Sequence, residues 1–236
     1  MKFVFLIPFY NHPHFIEKLV ENLLLYKIDI IIVDDGSNKD SKLILNSLKN
    51  VKILTRKQNG GKGAAIKSGL NLAKEIGYSY VFQIDADMQH ELSKINDFIN
   101  LSKKYPDSLI CANPIYGKDA PKARLYGRKI TDFWVYINTF GGNLKDSMCG
   151  MRIYPLHLIY PLLKKCKSNR MDFDIDILIL AYKNMIDFKW IDVKVKYDKN
   201  GISHFKAIRD NILISKMHAR HFFALPKFIF NKYLKK

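Results

Sequence analysis

Two carboxylates one residue apart, in Asp85-Ala86-Asp87, directly follow the apolar run Tyr80 to Ile84. Such a pair at a strand end can hold a hard divalent cation, which takes oxygen ligands and shares them with substrate phosphates. Alone, the spacing is a weak signal, because loops carry many acidic pairs. Gln89 and His90 follow. A second acidic pair lies in Val33-Asp34-Asp35-Gly36-Ser37, where Gly36 can take a positive φ. The same residues also read as a plain turn with Ser37 or Asn38 capping the next helix. A third segment, Gln58-Asn59-Gly60-Gly61-Lys62-Gly63-Ala64-Ala65, precedes a helical pattern. Backbone N–H groups and a lysine at a helix start suit a phosphate, although a simple glycine-rich turn has the same composition. It is not a Walker loop, since no G-x-x-x-x-G-K-[ST] occurs and Gly63 follows the lysine.

The elements that must position these residues alternate in kind. Phe3 to Ile7, Ile28 to Val33, Val51 to Leu54, Tyr80 to Ile84 and Ser108 to Ala112 read as strands. Between them, His14 to Tyr26, Ser41 to Leu48, Gly63 to Ile76 and Leu92 to Leu101 carry helical spacing, with Gly77 as a C-cap. This rhythm predicts an α/β domain with a mostly parallel sheet flanked by helices. Ligands of such sheets bind beyond the carboxyl ends of the strands, so the three polar strand ends should converge on one cleft. Beyond residue 113 the pattern loosens. Arg124 to Phe140 and Asp172 to Lys183 read as helices and Phe188 to Tyr197 as a half-exposed strand. Ile153 to Leu163 is interrupted by Pro155 and Pro161.

Composition narrows the class. The 236 residues are 48% hydrophobic and 26% charged, which excludes a disordered or collagen-like chain. Cys111, Cys149 and Cys166 show no C-x-x-C spacing, excluding a disulfide scaffold or cysteine-rich zinc site. No run approaches the ~18 apolar residues of a membrane span. The 39 basic residues less 22 acidic ones leave +17, a field that gathers anionic partners. Between residues 206 and 236, eight Lys or Arg face the single acid Asp210, leaving +7 of that excess. Large aromatics among those lysines suit a helix lying in a headgroup plane. Packing on the domain is expected for Ala207 to Met217, and anionic membrane contact for Phe222 to Lys236. His12, His14, Met171, Met185 and Met217 read as loop or packing residues.

Together the motifs resemble family 2 glycosyltransferases of the GT-A fold, particularly the branch of dolichol- and polyprenyl-phosphate sugar transferases. The resemblance rests on Ile7-Pro8-Phe9-Tyr10-Asn11, Val33-Asp34-Asp35-Gly36-Ser37, Asn59-Gly60-Gly61-Lys62-Gly63 and Asp85-Ala86-Asp87-Met88-Gln89-His90. Asp146-Ser147-Met148-Cys149-Gly150-Met151-Arg152 and Phe173-Asp174-Ile175-Asp176 extend it. It implies a GT-A α/β domain over residues 1–205 with C-terminal basic amphipathic helices over 206–236. It also implies nucleotide-sugar contacts from Pro8, Tyr10, Asp35, Lys62, Asp85 and Ser203. Asp87 with Gln89 would hold Mg²⁺ or Mn²⁺, and Arg128 and Arg152 would bind phosphate. Asp176, or Asp174 in its place, would serve as acceptor base.

The implied activity is inverting, metal-dependent transfer of a sugar from a nucleotide-sugar to a lipid or lipid-phosphate acceptor. The expected location is cytoplasmic, peripheral on the inner face of the cytoplasmic membrane. Transfer to a soluble glycan or protein is the neighbouring reading. A basic nucleic-acid-binding module would explain the charge but has no use for three acidic strand ends in a cleft, so no nucleic-acid partner is expected. A catalytically dead, membrane-bound scaffold would tolerate loss of Asp87.

Overall fold

The computed structural model describes residues 1–117, 120–142, 144–196 and 205–231. Strands β1 (Phe3–Phe9), β2 (Asp29–Asp34), β3 (Lys52–Thr55), β4 (Tyr80–Gln83), β5 (Ser108–Tyr116), β6 (Arg152–Pro155) and β7 (Asp187–Val195) form one sheet. Its order is β3-β2-β1-β4-β6-β5-β7. All pairings are parallel except those of β6, which runs antiparallel to β4 and β5. Helices α1 (Ile16–Leu24), α2 (Lys39–Ser47), α3 (Lys62–Ile76), α4 (Ile95–Lys104) and α5 (Lys122–Asn138) alternate with the early strands. They are followed by α6 (Leu156–Leu163), α7 (Phe173–Lys183), α8 (Ala207–Phe223) and α9 (Leu225–Ile229).

The continuous apolar strands follow from burial on both faces. Phe5, Ile7 and Phe9 point to one side, against Leu19 and Leu23 of α1 and Phe98 of α4. Val4 and Leu6 point to the other, against Ile66 and Leu70 of α3, Ile159 of α6 and Leu178 of α7. A third, smaller core joins Val135 of α5, Ile175 and Ile179 of α7, and Ile214 and Met217 of α8. Ala207 to Met217 thus packs on the domain, as expected, while Ile208 and Ile212 on its other side stay exposed.

Helix ends follow local chemistry. The Asn38 side chain accepts the Ser41 N–H at 2.9 Å, capping α2, and Gly77 ends α3 in the left-handed region at φ +90°. Residues 152–155 form a strand that Pro155 closes, and Pro161 lies within α6. One expectation needs correcting, the end of the fifth strand at Ala112. Strand β5 continues through Pro114 to Tyr116. Its partner β6 is registered only to Ile110 and Cys111, so the proline falls where one side of the strand has no ladder to lose. Helix α8 ends at Phe223, and Pro226 sits in the first turn of the separate helix α9, where a missing N–H costs little.

Candidate active site

The polar ends of β1, β2 and β4 do converge. They form one side of a cleft of about 1190 Å³ lined by Pro8, Tyr10, Asp35, Lys62, Asp85, Asp87 and Gln89. Arg124 and Arg128 of α5, Lys206 and Arg209 at the start of α8, and Arg170 before α7 line it as well, Arg170 lying against Gly61 of the glycine loop. Carboxylates and guanidinium groups therefore share one cleft, an arrangement suited to a ligand that carries both a metal-bound diphosphate and a second anion.

The two acidic pairs have divided their work. Asp34 Oδ1 accepts the Ser37 N–H at 2.8 Å and closes the turn after β2. Asp35 accepts the N–H groups of Gly60 at 3.0 Å and Gly61 at 2.6 Å, and lies 3.4 Å from Arg56. Burial pushes its carboxyl above the ordinary value despite those bonds and the Arg56 charge. The glycine loop consequently differs from a phosphate cradle. Its Gly60 and Gly61 donors are spent on Asp35, and the Ala64 N–H goes to the Asn169 carbonyl at 2.8 Å. The carboxylate of Asp35 has taken the place the sequence offered to an anion. Gly36, at φ +77°, permits the close approach, since a Cβ there would press on the backbone of Gln58 and Asn59.

Lys62 opens α3 beneath the cleft floor. Its Nζ lies 2.9 Å from Asp85 Oδ1 and Oδ2 and 2.9 Å from Asp174 Oδ2. Burial would lower the lysine pKa, but the two carboxylates outweigh it and raise the value. Burial likewise would raise Asp85; Lys62 first, then His90 and Arg152, hold it below the ordinary carboxylate value. Asp87 Oδ1 accepts the Gln89 N–H at 3.1 Å. Asp85, Asp87 and the Gln89 amide are hard oxygen donors, which fits Mg²⁺ or Mn²⁺ rather than a soft metal. Among the described residues no group of three His, Cys, Asp or Glu is placed to hold a metal alone. A cation here would need oxygens from the ligand it serves.

Arg128 Nη1 is 2.5 Å from Asp146 Oδ2 and its guanidinium lies over the Tyr116 ring at 5.0 Å. Asp146 Oδ1 in turn accepts the N–H groups of Met148 and Cys149. Eight of the twelve expected site residues thus line the cleft. Ser203 lies outside the described residues.

The remaining three are buried behind the cleft. Arg152 is 1% exposed. It donates to the carbonyls of Cys149 and Ser147 and, at 2.9 Å, of Asp174. Its donors tie the 146–150 loop to the start of α7, so the expected phosphate contact is replaced by a positioning role. Asp174 sits between Lys62 and Gln83. Asp176 faces away from it, about 200° round the helix, and is 1% exposed. One oxygen of Asp176 is 2.6 Å from His221 Nε2; the other is 2.8 Å from Arg220 and accepts the Ser168 N–H at 3.1 Å. Burial would raise its carboxyl, but His221 and the other partners lower it to about 2. A carboxylate so engaged holds α8 on α7 and does not reach an acceptor in the cleft.

Sequence reasoning missed Arg170, Arg209 and the pair His90–Cys149. His90 Nε2 lies 3.1 Å from Cys149 Sγ, and both residues line the cleft. Arg170 reaches Asn59 Oδ1 at 3.3 Å. Its signal was the polar stretch Lys167 to Arg170 immediately before Phe173-Asp174. His12 and Met171 line the cleft and Met217 is core, but Met185 is exposed rather than packed.

Residues 4–160 match the family described as Glycosyl transferase family 2. A UDP-N-acetylglucosamine--dolichyl-phosphate N-acetylglucosaminyltransferase of Methanococcus voltae is 31% identical over 220 residues, covering 84% of this chain and 87% of that protein. A dolichyl-phosphate beta-glucosyltransferase of Dictyostelium discoideum is 27% identical over 204 residues. That match covers 75% of this chain and 61% of the relative. Among solved structures, glucosyl-3-phosphoglycerate synthase of Mycobacterium tuberculosis, crystallised with Mn²⁺, UDP and phosphoglyceric acid, superposes with a TM-score of 0.70 at 14% identity. It covers 94% of this chain and 78% of that one, a likeness of fold that matches the GT-A expectation. With the match running from β1 into α6 and taking in three polar strand ends, the chain belongs to glycosyl transferase family 2 and is a glycosyltransferase.

Proposed function

We propose that this glycosyltransferase moves a sugar from a nucleotide-sugar donor to a lipid-linked phosphate acceptor at a membrane surface, with inversion at the anomeric carbon. The observation that carries the reading is one cleft lined both by strand-end carboxylates and by arginines. The relatives named for dolichyl-phosphate acceptors support it.

Asp87, with Asp85 and Gln89, is the set that would hold a divalent cation. Bound there, the cation would supply Lewis-acid stabilisation of charge on the departing diphosphate. Pro8 and Tyr10 border the donor side of the cleft. Asp35 acts there by fixing the Gly60-Gly61 turn, which sets where Lys62 enters. Lys62 balances Asp85 and Asp174, so the floor keeps one net negative charge from that trio for the donor's cation to meet. Arg128 is held by Asp146, and Arg124 and Arg209 stand near it. Those three cations suit a phosphate acceptor, whose oxygen is already ionised and needs no side-chain base. That requirement agrees with Asp176 being fully engaged elsewhere.

The test is thermal stabilisation by nucleoside diphosphates with and without Mn²⁺, paired with transfer assays on polyprenyl phosphate and on soluble glycans. A ligand at 100 times Kd stabilises by about 2.7 kcal/mol. Asp87→Ala should lose the Mn²⁺-dependent part while its ligand-free melting temperature stays level or rises. Equal stabilisation of variant and wild type refutes the metal assignment, and transfer only to soluble glycans refutes the acceptor.

A further inference from the structure

Helices α5 and α8 lie side by side and carry an apolar stripe that the core does not use. On α5, Tyr126, Ile130 and Phe133 recur at helical spacing and are each more than half exposed. On α8, Ile208 and Phe223 are both 81% exposed, with Ile212 between them. The stripes are joined by ring contacts. Trp134 meets Phe133 at 5.9 Å and Phe222 at 6.4 Å, and Phe222 meets Phe223 at 5.8 Å. Soluble monomers rarely present so large an apolar patch without a partner for it. Basic residues flank the ridge, Lys122 and Lys129 on α5 and Lys216 on α8, all exposed. The only acids within the two helices, Asp132 and Asp210, are half-buried and buried respectively.

We propose that this α5–α8 aromatic ridge is the face by which the protein lies on an anionic lipid bilayer. Large aromatics with lysines at their margin match the boundary between acyl chains and acidic headgroups. The same two helices carry cleft-lining arginines. On α5, Arg124, Arg128 and Thr131 sit roughly 160° round from Tyr126, Ile130 and Phe133, at 100° per residue, nearly on the opposite face. The ridge therefore leaves the cleft-lining face of α5 uncovered when it meets lipid. The docking face does not rest on the acceptor reading above.

The ridge takes in Phe222 and Phe223 from the segment expected to meet the membrane. Phe228 is 8% exposed and packs on Tyr182, with Lys183 over its ring, so it belongs to the domain. Residues 232–236 lie outside the described residues. The proposed anchor thus extends from the start of that segment across α5.

The experiment is co-sedimentation of the full chain with phosphatidylcholine vesicles, with or without about one quarter phosphatidylglycerol, at low and high salt. The protein should sediment with the anionic vesicles and be released by salt, as surface charge contacts are. The pair Phe133→Gln and Phe223→Gln should weaken binding by at least about tenfold, because two large apolar side chains leave the interface. Lys129→Glu with Lys216→Glu should weaken it similarly and flatten the salt dependence. Both pairs should keep the melting temperature and nucleoside-diphosphate binding of the wild type. Wild-type protein left in the supernatant, or unaltered sedimentation of the phenylalanine pair, overturns the proposal. So does a dimer in solution that the phenylalanine pair renders monomeric, since a second copy would then cover the ridge. Sedimentation without transfer to polyprenyl phosphate keeps the docking face and removes the acceptor. Transfer in detergent without sedimentation does the reverse.

Discussion

Replacing Lys62 by methionine isolates the electrostatic floor of the cleft. In the native protein one ammonium serves two carboxylates at 2.9 Å, and the Asp174 side chain is only 3% exposed. Methionine keeps the length of the stem but leaves Asp85 and Asp174 facing each other without that cation. Arg152, 3.8 Å from Asp174, compensates in part. Breaking a buried ion pair by removing one partner costs about 3–5 kcal/mol, and the partial cover by Arg152 points to the lower end, about 3 kcal/mol. For a domain of this size, 1 kcal/mol moves the melting temperature by about 2–4 °C, so a fall of roughly 6–12 °C is expected at pH 8. The pH dependence carries the sign. In the wild type Lys62 is raised, so its contribution is complete below the unfolded lysine value and lost only in alkali. Asp85 is lowered, so its contribution is complete above the unfolded carboxylate value of about 3.9 and lost in acid. Between about pH 5 and 8 neither changes. In the variant the buried carboxylates have lost their cation and one takes up a proton as pH falls. The folded state then binds more protons than the unfolded one, and the deficit shrinks by up to about 1.4 kcal/mol per pH unit. Scanning fluorimetry of both proteins at pH 5, 6, 7 and 8 reads this directly, with pH values chosen to span roughly the window above. A variant as stable as the wild type at pH 8, or a deficit constant down to pH 5, would refute the account.

Gly150→Ala should remove nucleoside-diphosphate binding more than stability. Its Cβ would overlap the Asp85 carboxylate, and overpacking of this kind costs about 1–3 kcal/mol or displaces the smaller obstacle. Calorimetric titration showing unchanged affinity counts against Asp85 as a donor-side group. Asp176→Asn should lower stability by about 2–3 kcal/mol at pH 7, the worth of a carboxyl moved from about 3.9 to about 2. That contribution is present above about pH 4 and lost as pH falls towards about 2. Turnover below the melting transition should stay within about threefold, whereas a hundredfold fall without loss of stability would restore the acceptor-base role.

How legible the fold was depended on how local each determinant is. Phe3 to Ile7 and Ile28 to Val33 announce themselves because strands buried on both faces need unbroken apolar runs, and Asn38 and Gly77 act within one helical turn. Strand β6 is different. Four residues ending in proline form it only because β4 and β5 leave a gap between them, and nothing local signals a reversed strand. The same distinction separates the site residues. Asp85, Asp87 and Gln89 lie at the end of a readable strand and were placed correctly in the cleft. Asp176 gains its partners from Arg220 and His221, 44 and 45 residues later. Arg152 looked like an anion binder because its type is; the carbonyls of Ser147, Cys149 and Asp174 that consume its donors appear only once α7 docks. The glycine loop kept two readings open for a related reason. An anion does sit at its N–H groups, but it is Asp35, supplied by the chain itself.

The strand order also dictates a sequence of events during synthesis. Strands β1 to β4 are made by residue 83 and pair among themselves through short crossovers. The outer edge of β4 must then wait for β6, whose last residue is 155, or 72 residues later. At about 5–20 residues per second that interval is roughly 4–14 s. For that time Tyr80 to Gln83, all buried in the finished protein, form an open edge of the kind that recruits other strands. Strand β7 then meets β5 across a 79-residue separation, and α8 closes the basic wall last. The carboxylate half of the cleft therefore exists on the ribosome well before the arginine half, and the nascent chain is most prone to aggregate while the enzyme is half built.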